Sequence, residues 1–288
     1  MIDISICIVN LNARKQLNNC MQSIMNSILD YTFEVIIVDN HSSDGSQIFI
    51  EKYYKKFHII KNKRNVGYTV AINQGIKVSK GNYIVLLNPD AVLEKDTLNC
   101  LVSFLKYKKD VGIVGPKVLN HDKSFQKSCR RGIARPKAVF SYFLGLSRLF
   151  PNDLRFTEYH LNHLHEDEIN EVGGVSGSCM VIRKKVVDEI GYFDERYFAY
   201  QEDSDYCLTA KKSNWKIYYN PSVKVIHNSG LGGSNTVPMK AIFEWHRSYF
   251  LYYKKHFSEE YSTLFSVFYI LLMLLKLIFS EAYFLIKS

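Results

Sequence analysis

The strongest constraint on the fold is a unit repeated through the first half of the chain. A short run of β-branched and aliphatic residues ends, in four of five cases, in asparagine or aspartate, and stretches with helical spacing lie between the runs. Ser5–Asn10, Glu34–Asp39, His58–Asn62, Tyr83–Asn88 and Gly112–Lys117 are the expected strands. Leu17, Cys20, Met21, Ile24 and Ile28 recur at helical spacing between the first two, and Leu98, Leu101, Val102 and Leu105 do so before the fifth. Strands alternating with amphipathic helices specify an α/β architecture, a mostly parallel sheet with helices packed on it.

With 288 residues, 47% of them hydrophobic, the chain can bury a full core, and its length suggests one sizeable domain plus an appendage. Residues 120–170 break the repeat: they hold Arg130, Arg131 and Arg135, an aromatic-rich run from Phe140 to Phe150, and His160, His163 and His165. This stretch reads as an insertion, and the histidines as part of a solvated loop. Strand character returns at Cys179–Arg183, Lys216–Tyr219 and Val223–His227, with a helix starting near Glu202.

From Leu264 to Ile286 the chain is almost wholly apolar, interrupted by Lys276 and Glu281. About 20 such residues can span a bilayer, but a charge near the middle costs roughly 2.5–3.5 kcal/mol on insertion. An in-plane helix therefore competes with a span, and a helix docked on the protein is the plainer alternative. Lys254, Lys255 and His256, with Tyr249, Phe250, Tyr252 and Tyr253, form a basic and aromatic belt suited to anionic head groups.

Basic residues exceed acidic ones by 37 − 28 = 9, so the surface attracts anions such as nucleotide phosphates or phospholipid. Nucleic acid is not expected, because the basic residues are dispersed and no zinc-binding, helix-turn-helix or RNA-binding signature occurs. The six cysteines are scattered without a C-x-x-C pair and read as reduced, structural thiols. The chain opens directly into a strand-like run with no signal-peptide pattern, which points to the cytoplasm.

In an open α/β sheet ligands bind beyond the carboxyl ends of the strands. Here those ends are polar: Asn10-Leu11-Asn12, then Asp39-Asn40-His41-Ser42-Ser43-Asp44-Gly45-Ser46, then Asn88-Pro89-Asp90. No G-x-G-x-x-G follows the first strand, so a bound pyrophosphate would need another source of compensation. Asp90, on a Pro-stiffened turn at a strand end, can hold Mg²⁺ or Mn²⁺ through oxygen. Gly173 to Ser178 offers backbone amides for close approach to substrate. Glu202, Asp203 and Asp205 crowd a helix start, where the dipole alone favours carboxylates, but Asp203 is also placed to act as a general base.

Taken in order, Val38 to Ser46, Asn65-Val66-Gly67-Tyr68 through Asn73-Gln74-Gly75, Leu87-Asn88-Pro89-Asp90 and Gln201-Glu202-Asp203-Ser204-Asp205 resemble family 2 glycosyltransferases, with the flavour of the rhamnosyltransferase-like branch that builds bacterial surface polysaccharide. The resemblance covers about residues 3–230. It implies a GT-A fold, the nucleotide-diphospho-sugar transferase architecture, with a mixed and mostly parallel sheet in a catalytic domain over 1–235. Residues 120–170 would be an acceptor-side insertion, and 236–288 a helical, membrane-associating segment.

By the same resemblance the donor is a nucleoside-diphosphate sugar, best matched by deoxythymidine-diphosphate rhamnose, and transfer inverts the anomeric carbon. Asn10, Asp39, Asn40, Asn65, Gly67, Asn73, Asn88 and Asp90 are the expected donor-binding positions. Asp90 and His227 are the expected metal ligands for Mg²⁺ or Mn²⁺, although Asn88-Pro89-Asp90 keeps only one acidic position of the family's D-x-D-like motif. Asp203 is the expected base. Gly177, Glu202, Arg130 and Arg131 are expected on the acceptor side, the arginines because their forks match the phosphates of a lipid-linked glycan. The expected partners are the donor, a glycan or lipid-linked glycan acceptor and the membrane surface, at the cytoplasmic face of the inner membrane. Two alternatives remain at this level: a pyrophosphorylase-like enzyme, which would want a Gly-rich phosphate loop that Asn10–Lys15 lacks, and a non-catalytic binder of anionic glycan or lipid on the same scaffold.

Overall fold

The computed structural model describes residues 2–150, 153–228 and 237–287. The expected repeat is present as β1 (Ile4–Asn10), α1 (Arg14–Met25), β2 (Phe33–Asp39), α2 (Ser46–Tyr53), β3 (His58–Lys61), α3 (Tyr68–Val78), β4 (Tyr83–Leu87), β5 (Ala91–Leu93), α4 (Thr97–Tyr107) and β6 (Val111–Leu119). The 120–170 stretch supplies β7 (Arg130–Arg131) and the short helices α5 (Pro136–Phe143), α6 (Leu146–Leu149) and α7 (Leu154–Thr157). Then come β8 (Asn170–Glu171), β9 (Gly174–Val175), β10 (Cys179–Arg183), α8 (Lys184–Ile190), α9 (Glu202–Lys212) and β11 (Lys216–His227). The helices α10 (Pro238–His256) and α11 (Thr263–Lys287) close the described chain.

The main sheet runs β3-β2-β1-β4-β10-β6-β11-β5, with β8 paired to β11. β1, β2, β3 and β4 are mutually parallel, as are β6 and β11, while β10 is inserted antiparallel between β4 and β6. This is the mixed, mostly parallel sheet that the strand pattern specified. Successive residues of a strand face opposite sides. Ile4, Ile6 and Ile8 accordingly enter one core with Leu17, Met21 and Leu101, while Cys7 and Val9 enter the other with Ile72, Ile76 and Cys207. Both faces are covered, which is why the strands read as continuous apolar runs.

Two expected elements differ. Lys216–Tyr219 and Val223–His227 are one strand, β11, whose register against β6 shifts between Asn220 and Lys224. Pro221, which cannot donate to the ladder, sits within that irregularity and does not end the strand. The three-residue β5 was too short to show a period.

The 120–170 stretch is not an isolated appendage. Ala138, Val139 and Tyr159 share a third core with Tyr249, Tyr252, Tyr253 and Phe257 of the segment from 238 to 257, and with Tyr269 and Met273 of α11. The helix α10 is thus part of the protein body, and the expected boundary at 235/236 lies outside the described residues. The helix α11 has 25 residues and a mean hydropathy of 2.2 in its most apolar window. Leu264, Phe268, Leu271, Leu275, Phe279 and Ile286 are exposed along it, while Tyr269 and Met273 are buried against the body. Lys276 faces inward as well: its Nζ lies 3.3 Å from Nε2 of His246. The interrupting charge belongs to the docked face of the helix, not to its apolar side.

Candidate active site

A cleft of about 510 Å³ opens beyond the carboxyl ends of the central strands. Asn40 and Asn65 line it from the β2 side, Asn88 and Asp90 from the turn after β4, and Ser176, Gly177 and Ser178 from the approach to β10. Glu202 and Asp203 reach it from the start of α9, His227 from the end of β11, and Arg131 from β7. Nine of the expected residues therefore meet in one cavity, although their positions run from 40 to 227.

The start of α9 is built under constraint. Tyr200 and Gln201 both have positive φ, 68° and 58°, a left-handed conformation that non-glycine residues adopt at a cost of about 1–3 kcal/mol each. Gly67, at φ 90°, supplies room for this turn: a Cβ there would come within 2.7 Å of the Phe198 carbonyl oxygen. The Phe198 carbonyl in turn accepts from the Tyr68 amide at 2.7 Å. Gly67 does not line the cleft; it fits the 198–201 turn against the N-terminus of α3.

Asp203 is held on both oxygens. Its Oδ2 accepts from Arg131 Nη2 at 2.5 Å and from the Gly177 amide at 3.0 Å, and its Oδ1 from the Ser204 amide at 2.7 Å. Burial works against the charge on Arg131, but Asp203 outweighs it and holds the guanidinium above its ordinary value. Glu202 is placed differently. Its Oε2 is buried with no hydrogen-bond partner among the described residues, and burial, reinforced by the neighbouring charge of Asp203, pushes its carboxyl up to about 8. Near neutral pH Glu202 is thus largely protonated and able to donate. Burial and the same two carboxylates hold the Tyr68 hydroxyl well above its usual range.

Opposite this pair, Nε2 of His227 lies 3.1 Å from Oδ1 of Asp90 and 3.3 Å from Nδ2 of Asn88. Its Nδ1 lies 3.0 Å from Oε1 of Gln126, an acceptor, which favours the tautomer with the proton on Nδ1. The lone pair of Nε2 then confronts a carboxylate oxygen, an arrangement that asks for a shared proton or a cation. An imidazole nitrogen beside a carboxylate, with the other ring nitrogen donating to an amide oxygen, suits a divalent metal. Among the described residues no group of three His, Cys, Asp or Glu side chains gathers at any metal-sized site, so phosphate oxygens and water would have to complete a shell at Asp90 and His227.

Several expected contacts are placed elsewhere. Asn10 and Asp39 lie fully buried behind the cleft, where Asp39 accepts from Asn10 at 2.9 Å, the Ser42 amide at 2.9 Å and Gln47 at 2.7 Å. Asn73 is buried away from the cleft, donating to the Phe193 carbonyl at 2.8 Å and accepting from the Phe193 amide at 3.1 Å. Arg130 does not line the cleft: it donates to the carbonyls of Leu164 and His165, and its guanidinium lies 4.8 Å from the Tyr219 ring centroid. Arg130 and Arg131 are both buried, so neither forms a solvated basic face, while Arg135 pairs with Glu260 at 2.9 Å. His160 is likewise no solvated loop residue. It lines the cleft, and burial, aided by the charge of Arg131, pushes it down to about 4.

Sequence reasoning passed over Tyr142, Tyr159 and Trp245 as site residues and assigned Tyr249 to a belt for anionic head groups; all four line the cleft, and Tyr249 is buried. No local pattern could have joined them, because α5 and α10 meet only through tertiary packing. The buried, unpartnered Ser178 Oγ and Gln201 Oε1 lie with Glu202 Oε2 at this cleft. Unpartnered buried polar atoms are uncommon, and a cluster of them at one cavity marks where a polar ligand completes the bonding.

The sequence model of glycosyl transferase family 2 matches residues 5–191. The chain is 27% identical over 205 residues to the N-acetylglucosaminyl-diphospho-decaprenol L-rhamnosyltransferase of Mycobacterium tuberculosis, covering 67% of this chain and 66% of that protein. It is 27% identical over 235 residues to a low-salt glycan biosynthesis hexosyltransferase of Haloferax volcanii, covering 78% and 67%. Against the rhamnosyltransferase WbbL of Escherichia coli the identity is 22% over 223 residues, covering 75% and 80%.

Among solved structures, a mannosyltransferase from Pyrobaculum calidifontis in complex with GDP-Man and Mn²⁺ superposes with a TM-score of 0.59 at 15% identity, over 88% of this chain and 66% of that one. Staphylococcus aureus TarS superposes at 0.57 and 16% identity, over 87% and 64%. These superpositions bear out the expected GT-A fold.

Proposed function

The chain belongs to glycosyl transferase family 2, and from that premise we propose that it moves a single sugar, with inversion, from a nucleoside-diphosphate donor to a glycan or lipid-linked glycan acceptor beside a membrane. The observation that carries the reading is the meeting, in one cleft beyond the sheet, of a base-bearing turn at Glu202 and Asp203 with the Asp90 and His227 pair. A pure binder has no use for both.

In the proposed reaction the acceptor hydroxyl oxygen forms its bond to the anomeric carbon as the bond from that carbon to the diphosphate breaks. The electron pair leaves with the diphosphate, and the hydroxyl proton passes to Asp203. Arg131 and Gly177 both hold Oδ2, whereas Oδ1 accepts from Ser204 alone, so Oδ1 is the less engaged oxygen and the one proposed to take the proton. Glu202, protonated near neutral pH, donates toward the acceptor and closes its own unpartnered oxygen. A divalent cation, Mg²⁺ or Mn²⁺, held by Asp90 and His227 would neutralise charge on the departing diphosphate. Asn40, Asn65 and Asn88 border the donor side. Asp39 would reach the nucleoside by exchanging the Gln47 amide for a donor of the base or ribose, with Asn10 steadying it. Gly67, Asn73 and Arg130 keep the scaffold roles described above.

Two of the relatives are rhamnosyltransferases, which supports deoxythymidine-diphosphate rhamnose as donor ahead of uridine-diphosphate hexoses. The exposed apolar side of α11 supports attachment to a membrane, which in the proposed reading is the inner membrane at its cytoplasmic face. A panel of nucleotide sugars, scored for binding and hydrolysis with and without Mn²⁺ or Mg²⁺, tests the reading. One donor should be bound and turned over in a metal-dependent way; no binding under any condition would favour a non-catalytic holder of anionic glycan or lipid.

A further inference from the structure

The wall facing the polar strand ends has another composition. Trp245 and Tyr249 of α10, with Tyr142, Tyr159 and His160, line the same cleft as Asp203. The rings form a connected cluster. Trp245 and Tyr249 are 4.4 Å apart between centroids, Tyr142 is 4.7 Å from His160 and 5.4 Å from Tyr159, and the hydroxyls of Tyr159 and Tyr249 lie 2.6 Å apart. The charged side chains that share the cleft with this wall have partners of their own: Arg131 is engaged by Asp203, Glu244 pairs with Arg247, and Lys240 lies over the Phe198 ring.

Lys276 of α11 explains how the wall is fixed. Its ammonium lies 4.2 Å from the Trp245 centroid and 4.5 Å from that of Phe143, without lining the cleft. A cation over a ring is attracted by the negative ring face, so the lysine pins the indole. Both α10 and α11 lie beyond residues 5–191 matched by the family model, whereas Tyr142, Tyr159 and His160 lie within them, so Trp245, Tyr249 and the pinning lysine are added to the wall from outside the matched region.

We propose that this wall is the seat of the acceptor's sugar, a neutral pyranose whose C–H face lies on Trp245 and Tyr142 with a free hydroxyl directed at Asp203. The C–H bonds of a pyranose face carry slight positive charge, which complements the negative face of an aromatic ring. Tyr159, Tyr249 and His160 close the edge with polar atoms for the remaining hydroxyls. The proposal rests on the transfer function argued above, and it names the acceptor unit as a sugar ring in place of the phosphate that Arg130 and Arg131 suggested.

The chain has two tryptophans, so Trp215→Phe leaves Trp245 as the sole indole reporter. Titration of that variant with methyl glucoside, galactoside, rhamnoside and N-acetylglucosaminide should give a saturable change in emission for at least one of them. Tyr142→Ala and Lys276→Met should each weaken that binding at least tenfold, and Tyr142→Phe should restore it. Silence toward every pyranoside, or a response that survives Tyr142→Ala and Lys276→Met undiminished, overturns the proposal. Nucleotide-sugar hydrolysis, measured on the same protein, separates the two claims. Hydrolysis without any Trp245 response removes the platform alone, whereas a pyranoside response in a protein that binds no nucleotide sugar removes transfer and leaves a sugar-binding wall.

Discussion

The guanidinium of Arg131 lies 2.5 Å from Oδ2 of Asp203, and both side chains are buried at the head of the cleft. Breaking a buried pair from one side leaves an uncompensated charge and costs about 3–5 kcal/mol. Arg131→Met should therefore lower stability by that order in urea unfolding. Arg131→Met with Asp203→Asn should recover most of it while remaining inactive. A double variant no more stable than the single one would show that the pair is not what holds β7 to α9.

Glu202 and His160 give stability opposite slopes with pH. His160 sits at about 4 in the fold against an ordinary 6.5, so between those values the unfolded chain binds the extra proton and stability rises with pH. Glu202 sits at about 8 against 4.5, so the folded chain holds the extra proton and stability falls as pH rises through that window. Above pH 6.5 only the second effect remains. The Tm should fall from pH 6.5 to 8 in the wild type, and Glu202→Gln, which cannot ionise, should flatten that fall.

If Gln126 sets the tautomer of His227, its loss should be felt at the metal and not in the fold. Removing such an outer partner typically costs about 10–100-fold in metal affinity. Gln126→Leu should weaken Mn²⁺-dependent donor binding by that order, with Asp90→Ala weakening it more. Donor binding unchanged in all three proteins, with or without chelator, would leave Asp90 and His227 without a metal role.

The outward face of α11 carries Leu271, Leu275 and Phe279 one turn apart, each at least half exposed. Leu271→Glu with Leu275→Glu should abolish flotation with vesicles containing anionic lipid and leave the unfolding free energy within about 1 kcal/mol of the wild type, as surface changes normally do. Flotation that persists would place membrane contact elsewhere, Lys254 being the next residue to alter, since Lys255 is engaged by Asp194 and Asp205 and the tyrosines of the expected belt are buried.

The parts of the fold legible in the sequence are those with a local cause. Ile4, Ile6 and Ile8 alternate with Cys7 and Val9 because both faces of β1 are covered, and the polar residues that end the strands mark the cleft. Asn88, Asp90 and Asp203, which stand out in the sequence by their place after a strand or before a helix, all line the cleft. Asn73 misled because it sits in a motif, while its amide answers the backbone of Phe193, 120 residues away. The expected gap between Lys216–Tyr219 and Val223–His227 is continuous strand, with Pro221 accommodated where the ladder shifts register. The aromatic wall was invisible because Tyr142 and Trp245 belong to segments that only the third core brings together.

The most direct test of the account is Asp203→Asn, assayed for donor binding and for single-turnover sugar transfer in the presence of Mn²⁺. The amide keeps the shape of the carboxylate but cannot accept the acceptor proton. Donor affinity should hold within about threefold while turnover falls about 10²–10⁴-fold, the range general-base catalysis supplies. Turnover close to the wild type, with binding intact, would contradict Asp203 as the base and with it the proposed division of labour across the cleft.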